Sequence, residues 1–339
     1  MIEIKDVTVK SDWENFVQSK PEANFLQSWQ WGEFHESRGK KILRRGIYED
    51  GALAGVYTGQ IENARRGKRI EIAGGPIIDW HNQDVVSLTT EDIKKQAQKH
   101  NVIFARVRPQ LEKSDEAEKI FIENGYKKAP MYLSVELAGV LDLNKNEDEI
   151  LKNMRQRLRR ALRKAAKNDI EIEKSSSPED IDTFYDIQLQ TAKRHDFVAF
   201  GREFLKKQFK AFSDDEQAVL YTAKHEGEIL AQNFMIFYGN EASYHYGVST
   251  ELGTKLSGAP LLHMEAMKDA RERGIKRYNF WGIVAEDDTD HRFYGVSVFK
   301  RGFGVDELQY MPAQDLVVDS KRYAGTWLIE TARRKIRKV

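Results

Sequence analysis

The chain has 339 residues, 40% of them hydrophobic and 32% charged, enough to build two domains of ordinary size, each with its own core. A net charge of +1 gives no global attraction for nucleic acid or membrane, so any such attraction must come from local patches. The absence of cysteine excludes disulfides, thiolate metal sites and a Cys nucleophile, and fits a cytoplasmic setting.

The opening stretch MIEIKDVTVK has no apolar h-region, and no window approaches eighteen apolar residues. The expectation is no signal peptide and no membrane span, with a membrane-borne substrate met only from the surface. Residues 2–9 alternate as a strand. Ser11, Asp12, Trp13 and Glu14 then begin a helix in a capping-box pattern. The stretch from Asn24 to Trp31 leads into a second helix through about Arg38. A hairpin over 43–57 turns at Asp50-Gly51. Strands are expected over 68–79, 102–107 and 131–143, and helices over 90–100 and 116–124.

The strongest helical pattern runs over 147–167. Ile150, Leu151, Met154, Leu158, Ala161, Leu162 and Ala165 form one apolar stripe. The other face carries Lys152, Arg155, Arg157, Arg159, Arg160, Arg163, Lys164 and Lys167, with no acid between Leu151 and Asn168. Such a face is either solvated or held against a polyanion that relieves its self-repulsion. No aromatic residues are interleaved for base stacking, so phosphates of a folded RNA fit better than bases.

After this helix the order of elements repeats: strand 170–174, helices 178–194 and 202–212, and a hairpin over 218–248 turning at Glu226-Gly227. A helix over 260–273 leads to a strand over 278–283 and an acidic loop from Glu286 to Asp290. An amphipathic segment then ends Phe299-Lys300-Arg301-Gly302-Phe303-Gly304, whose glycines suit a helix C-cap. A strand over 308–318 and a basic amphipathic helix over 320–337 finish the chain. This order predicts an α+β fold of two tandem acetyltransferase-like (GNAT-like) domains, with mixed central sheets flanked by helices. The domains are expected at 1–145 and 146–315, with 316–339 a C-terminal helix returning to the first.

Other site chemistries find little. The histidines show no metal spacing, and there is no Gly-x-Ser-x-Gly elbow or P-loop. Asp287, Asp288 and Asp290 lack the Gly and distal Glu of a calcium loop. Lys300 and Arg301 complement a helix dipole or belong to a site. Trp29 and Trp31 suit core packing as well as a cleft. Tyr244 and Tyr246, two apart on a strand, are expected on one face with His245 on the other. Arg194 and Arg202 straddle a short loop, either solvated or facing an anion.

Phe299-Lys300-Arg301-Gly302-Phe303-Gly304, some twenty residues after an aromatic strand, resembles the C-terminal signature of the FemABX family. Asn153-Met154-Arg155 with Arg159-Arg160 and Ala165 resembles its motif at the start of the second domain. The resemblance is to compact members without a coiled-coil arm. It implies transfer of an amino acid from aminoacyl-tRNA to the stem peptide of a peptidoglycan precursor, UDP-linked or lipid-linked. It also implies a cytoplasmic monomer that needs no metal or cofactor. On it, Lys300 stabilises the tetrahedral oxyanion and Phe299 packs beside the terminal adenosine. Arg155, Arg159, Arg160 and Arg163 meet the tRNA. Trp31, Arg202, Tyr244 and Tyr246 line the precursor cleft. Where compact members have a diphosphate-binding Lys just after the Trp, this chain has Glu33 and His35, leaving Lys40 or Lys41 to substitute. Where many members have Asp-Pro after the third strand, this chain has Arg108-Pro109, so that carboxylate base is absent.

Two rivals remain at the level of sequence. An acyl-CoA N-acyltransferase would cradle pyrophosphate on the loop 249–259, which lacks the basic-x-x-Gly-x-Gly spacing. A non-enzymatic RNA-binding module would use the basic helix alone.

Overall fold

The computed structural model describes residues 1–64, 67–195 and 198–337. The Arg194 side chain, named above, lies outside the described residues. The chain divides into two compact units, residues 1–137 with 308–339, and residues 138–307.

The first unit runs β1 (Ile2–Asp6), α1 (Lys10–Gln18), α2 (Trp29–Ser37), β2 (Lys41–Glu49), β3 (Ala52–Ala64), β4 (Gly67–Gly74), α3 (Gln83–Lys99), β5 (Phe104–Pro109), α4 (Asp115–Glu123) and β6 (Tyr126–Lys128). The second runs β7 (Leu137–Asp142), α5 (Glu147–Asn153), α6 (Gln156–Ala165), β8 (Ile170–Ser175), α7 (Ile181–His195), α8 (Arg202–Ser213), β9 (Ala218–His225), β10 (Glu228–Tyr238), β11 (Glu241–Ser249), α9 (Glu251–Leu256), α10 (Gly258–Glu272), β12 (Arg277–Gly282), α11 (Tyr294–Arg301) and β13 (Asp306–Gln309). The chain then returns to the first unit with β14 (Gln314–Val317) and α12 (Ser320–Arg337).

Each unit holds one seven-stranded mixed sheet, ordered β1-β2-β3-β4-β5-β14-β6 and β13-β7-β12-β11-β10-β9-β8. The orders match strand for strand. In each, four antiparallel strands meet a fifth in parallel, at β4–β5 and β11–β12. The two hairpin turns match as well: Asp50 and Gly51 have φ of 48° and 86°, Glu226 and Gly227 of 50° and 81°. That pair of left-handed residues gives the twist a two-residue hairpin needs.

The strand expected over 308–318 is two strands. Pro312 interrupts it, and β13 joins the second sheet while β14 joins the first. Likewise β7 leaves the first unit to pair with β12. The slot beside β5 is filled by β14, where Arg106 on β5 donates to Asp315 at 2.7 and 2.8 Å and to Glu330 of α12 at 2.8 Å. Tyr323 of α12 donates to the same Asp315 at 2.8 Å.

The single helix expected over 147–167 is also two. Asn146 and Glu149 form a capping box at the start of α5. The helix stops at Met154 and Arg155, whose ψ values are extended at 145° and 140°. No Gly or Pro causes this break. Met154 is drawn into the core, and the Arg155 N–H donates at 2.8 Å to the Gly302 carbonyl, so tertiary bonds outweigh helix continuity. In the first unit, the capping box expected at Ser11–Glu14 does not form. α1 starts at Lys10, and Glu14 accepts instead from the Trp29 N–H at 2.7 Å.

Candidate active site

In the second unit, β11 and β12 pair only from Glu241–Arg277 to Ser243–Asn279 and then part. On β12, the Asn279 carboxamide oxygen accepts from the Trp281 N–H at 2.8 Å, Trp281 takes a left-handed φ of 65°, and the strand slips register before Gly282. This local turn aims the Gly282 carbonyl at α11, where Lys300 Nζ donates to it at 2.7 Å. The same helix holds the strand's exit twice more. Arg301 donates to the Val284 carbonyl at 2.7 Å, and the Val284 N–H donates to Ser297 Oγ at 2.9 Å. Arg301 also pairs with Glu307 at 2.6 Å, so it is a structural staple.

Lys300 does not stand at an exposed helix end as its dipole-complementing position suggests. It is 7% exposed, and its Nζ lies 5.6 Å above the Tyr244 ring. Burial pulls the ammonium down from its usual 10.5 to about 7. Gly302 is the C-cap of α11, with right-handed helical geometry at φ of −56°, and Gly304 takes the positive φ of 76°.

Around Lys300 the walls are aromatic. Phe299 packs on His263 and Phe303, with ring centroids 5.6 and 5.4 Å apart. His263 of α10 stacks edge-on to Tyr244 at 4.5 Å and bonds the Tyr278 hydroxyl at 2.8 Å. Burial, and secondarily the charge of Lys300, hold this imidazole neutral, its pKa lowered to about 3. Burial also raises the Tyr244 phenol.

Tyr244 and Tyr246 do not share a face. β10 and β11 pair Met235 with Tyr244 and Phe234 with Tyr246, leaving His245 as the extra residue of a β-bulge. Tyr244 therefore joins the α10 side, and Tyr246 the opposite side against Phe200 and Phe234, at 5.0 and 5.8 Å. Gly247 then returns to the Tyr244 side, where a Cβ would fall 1.7 Å from the phenol oxygen. No side chain fits there while Tyr244 holds its place.

Arg202 opens α8 and is already held, by Asp182 at 3.0 Å and Asp186 at 2.9 Å, over the Tyr185 ring at 4.6 Å. In the first unit, half-buried Trp31 packs on Phe25, Phe34 and His35. Nearby, Gln27 is buried and plugs the sheet, donating to the Ala73 carbonyl at 2.7 Å and accepting from the Thr58 N–H at 2.7 Å. Lys40, offered as a substitute cation, pairs with Glu62 at 2.6 Å, whereas Lys41 is exposed. Arg108 is fully buried, bonded to Ser134 and Gln110.

The basic face is exposed, apart from half-buried Arg159. Arg155 makes an exposed 3.4 Å pair with Glu286, and Arg159 donates to the Lys152 carbonyl at 3.2 Å. Arg160 and Arg163 are exposed with no acidic partner among the described residues. Leu158, Leu162 and Ala165 bury the opposite face.

The loop 249–259 is unlike a pyrophosphate cradle. Most of it is the short helix α9, and a Cβ on Gly253 would fall 1.8 Å from the Leu230 carbonyl oxygen. That glycine serves close packing on β10. Among the described residues no group of three or more His, Asp or Glu could hold a metal ion, and no helix is long and apolar enough to cross a membrane.

The structure thus brings Lys300, Phe299 and Tyr244 together, with Tyr246 and Arg202 outside that group and Trp31 in the other unit. Sequence reasoning missed His263, Gly282, Gly247 and Asn279. Asn279 two residues before Trp281 was a turn signal of the Asx kind. His263 carried none, lying among apolar residues of a helix.

A model of the FemAB family matches residues 8–228 and 218–331. The lipid II:glycine glycyltransferase of Staphylococcus epidermidis is 22% identical, over 91% of this chain and 91% of its own length. A crystal structure of FemX superposes with a TM-score of 0.86 at 21% identity, covering 97% of this chain and all of that one. A tandem GNAT protein from the clavulanic acid biosynthesis pathway superposes at 0.54, with 11% identity over 94% of this chain and 98% of its own. The two-domain GNAT-like fold is shared with both.

Proposed function

Since this chain belongs to the FemAB family, we propose that it is an aminoacyltransferase. It moves an amino acid from aminoacyl-tRNA to the stem peptide of a peptidoglycan precursor, building the interpeptide bridge. The name of its staphylococcal relative, a lipid II:glycine glycyltransferase, supports this reading. The observation that carries it is the buried Lys300 ammonium, placed where β11 and β12 part. It donates one hydrogen bond to Gly282, and Nζ bonds no other acceptor among the described residues. Charged, it has two further donors for an incoming oxygen.

The ester of aminoacyl-tRNA is already activated, so positioning and charge stabilisation supply most of the rate. The neutral acceptor amine attacks the ester carbonyl carbon, whose oxygen becomes the anion facing Lys300. Collapse breaks the bond to the tRNA ribose oxygen, and the proton lost by the amine reaches that oxygen through water. A cation disfavoured by burial in the free enzyme is stabilised when negative charge develops beside it. The interaction therefore favours the transition state over the ground state.

Phe299 supplies an apolar wall for the terminal adenosine, and Arg155, Arg159, Arg160 and Arg163 supply phosphate contacts. Trp31 and Tyr246 are the precursor contacts in this reading, Tyr244 lying on the other side of the sheet beneath Lys300. Arg202 joins them by exchanging an aspartate for phosphate. Mixing the protein with charged tRNA and either UDP-linked or lipid-linked precursor tests the whole scheme. A tRNA-dependent mass increase of the stem peptide is expected. Acylation from acyl-CoA, or tRNA binding without transfer to either precursor, would overturn it.

A further inference from the structure

Helix α12 is turned inside out. Tyr323, Thr326 and Glu330, at helical spacing, are its buried residues among those described, and Glu330 is held inward by Arg106. Its large aliphatic residues face outward: Leu328 is 64% exposed, Ile329 50% and Ile336 81%. Leu328, Ala332 and Ile336 follow at four-residue spacing, with Ile329 and Gly325 beside them, so the exposed apolar residues form one stripe. A helix whose sole task was to cap the unit would bury these residues and expose the glutamate.

The surroundings of the stripe are basic. Lys321 and Arg322 lie at one end, and Arg333 and Arg334 lie toward the other. Glu330 is the only acid between Ser320 and Arg337. Trp327, 41% exposed, sits at the flank. An apolar stripe with a cationic rim, Arg322 being paired at the helix start with Asp319 at 3.8 Å, matches a surface that is apolar within and anionic at its boundary.

We infer that α12 is a docking helix for an anionic phospholipid surface, lying in the plane of the interface with Leu328, Ile329 and Ile336 inserted. RNA would use the basic rim but leave the aliphatic stripe in water. A second copy across a two-fold axis would set the same basic residues against each other. The inference stands on α12 alone and is independent of the amino-acid-transfer reading.

Vesicle flotation with the full chain tests it, without tRNA or precursor. Vesicles of phosphatidylcholine are compared with vesicles carrying about a third phosphatidylglycerol. The protein should float with the anionic vesicles and stay behind with the neutral ones. Leu328→Glu with Ile336→Glu should cut partitioning at least tenfold. Lys321→Gln with Arg322→Gln should reduce it roughly twenty-five-fold, since each basic residue near such a surface contributes about a fivefold effect. Thermal melts of both double variants should match the parent, because the altered side chains are exposed. No flotation with anionic vesicles overturns the inference. Flotation indifferent to Leu328→Glu with Ile336→Glu overturns it too, leaving a purely electrostatic surface of the kind RNA uses. So does concentration-dependent dimerisation in the absence of lipid that this double variant abolishes, which would assign the stripe to a second copy.

Discussion

Lys300 Nζ donates to the Gly282 carbonyl oxygen at 2.7 Å, tying the last turn of α11 to the strand that ends beside it. That carbonyl points at the lysine because Trp281, one residue before it, is left-handed. The ammonium is therefore held by backbone, with no carboxylate bonded to it among the described residues.

Lys300→Met should lower single-turnover transfer by about a hundredfold or more, the scale seen when one oxyanion donor is removed. The same substitution should raise stability. The folded-state pKa of about 7 lies below the unfolded value of 10.5, so burial of this group destabilises the fold fully below pH 7. The penalty fades as pH rises toward 10.5. Melts of the variant and the parent should differ most at or below pH 7, by up to a few kcal/mol at about 1.4 kcal/mol per pKa unit, and converge near pH 10. A variant that melts lower at pH 7 would show the Gly282 bond outweighing the burial cost.

The pH profile offers an independent check. If the charged form of Lys300 is the active one, kcat/KM should fall as pH rises through about 7, because that parameter reports the free enzyme. Lys300→Arg should keep only part of the rate, its guanidinium being wider and its charge more diffuse. It should also lose this alkaline limb. A limb that persists in the Arg variant would belong to another group.

Arg160→Gln with Arg163→Gln should weaken use of charged tRNA and flatten its salt dependence, by about one unit of slope for each phosphate no longer neutralised. Precursor affinity should hardly change. Titration of tRNA binding across salt concentrations, beside precursor binding, separates the two. A loss of precursor affinity instead would place α6 against the other substrate.

Gly247→Ala should act on the site through Tyr244. A Cβ there would fall 1.7 Å from the phenol oxygen and 2.5 Å from the ring carbon bearing it, so the ring must move. Overpacking of this kind costs about 1–3 kcal/mol. Transfer should drop by more than the melt implies, because the displaced ring is the one beneath Lys300. A variant with normal transfer and a lowered melt would make Tyr244 a packing residue only.

Asp315→Ala should be among the most destabilising single changes. It leaves the buried guanidinium of Arg106 with Glu330 but without its bidentate partner, and breaking a buried pair costs about 3–5 kcal/mol. Urea unfolding measures it. A change near zero would mean that Glu330 alone satisfies Arg106.

The hairpins and the duplication were legible because turn chemistry is local: Asp50-Gly51 and Glu226-Gly227 need nothing beyond themselves to turn. The FemABX resemblance singled out Lys300, yet its burial was hidden, because it depends on a strand eighteen residues earlier bending at Asn279 and Trp281. The split of Tyr244 from Tyr246 was hidden for the same reason. Period-two alternation holds until a bulge inserts a residue, and His245 does not look like one. The break between α5 and α6 left no mark either. It is set by the Gly302 carbonyl, far away in sequence, and by the pull of Met154 into the core.

The place of β14 beside β5 has a consequence for synthesis. Arg106 precedes Asp315 by 209 residues, so at about 5–20 residues per second the ribosome needs roughly 10–40 seconds between them. Throughout that interval the nascent first unit has an open strand edge at β5 and an arginine awaiting its carboxylates. The second unit has all its strands once β13 has emerged, so the half of the protein made first is the half that closes last.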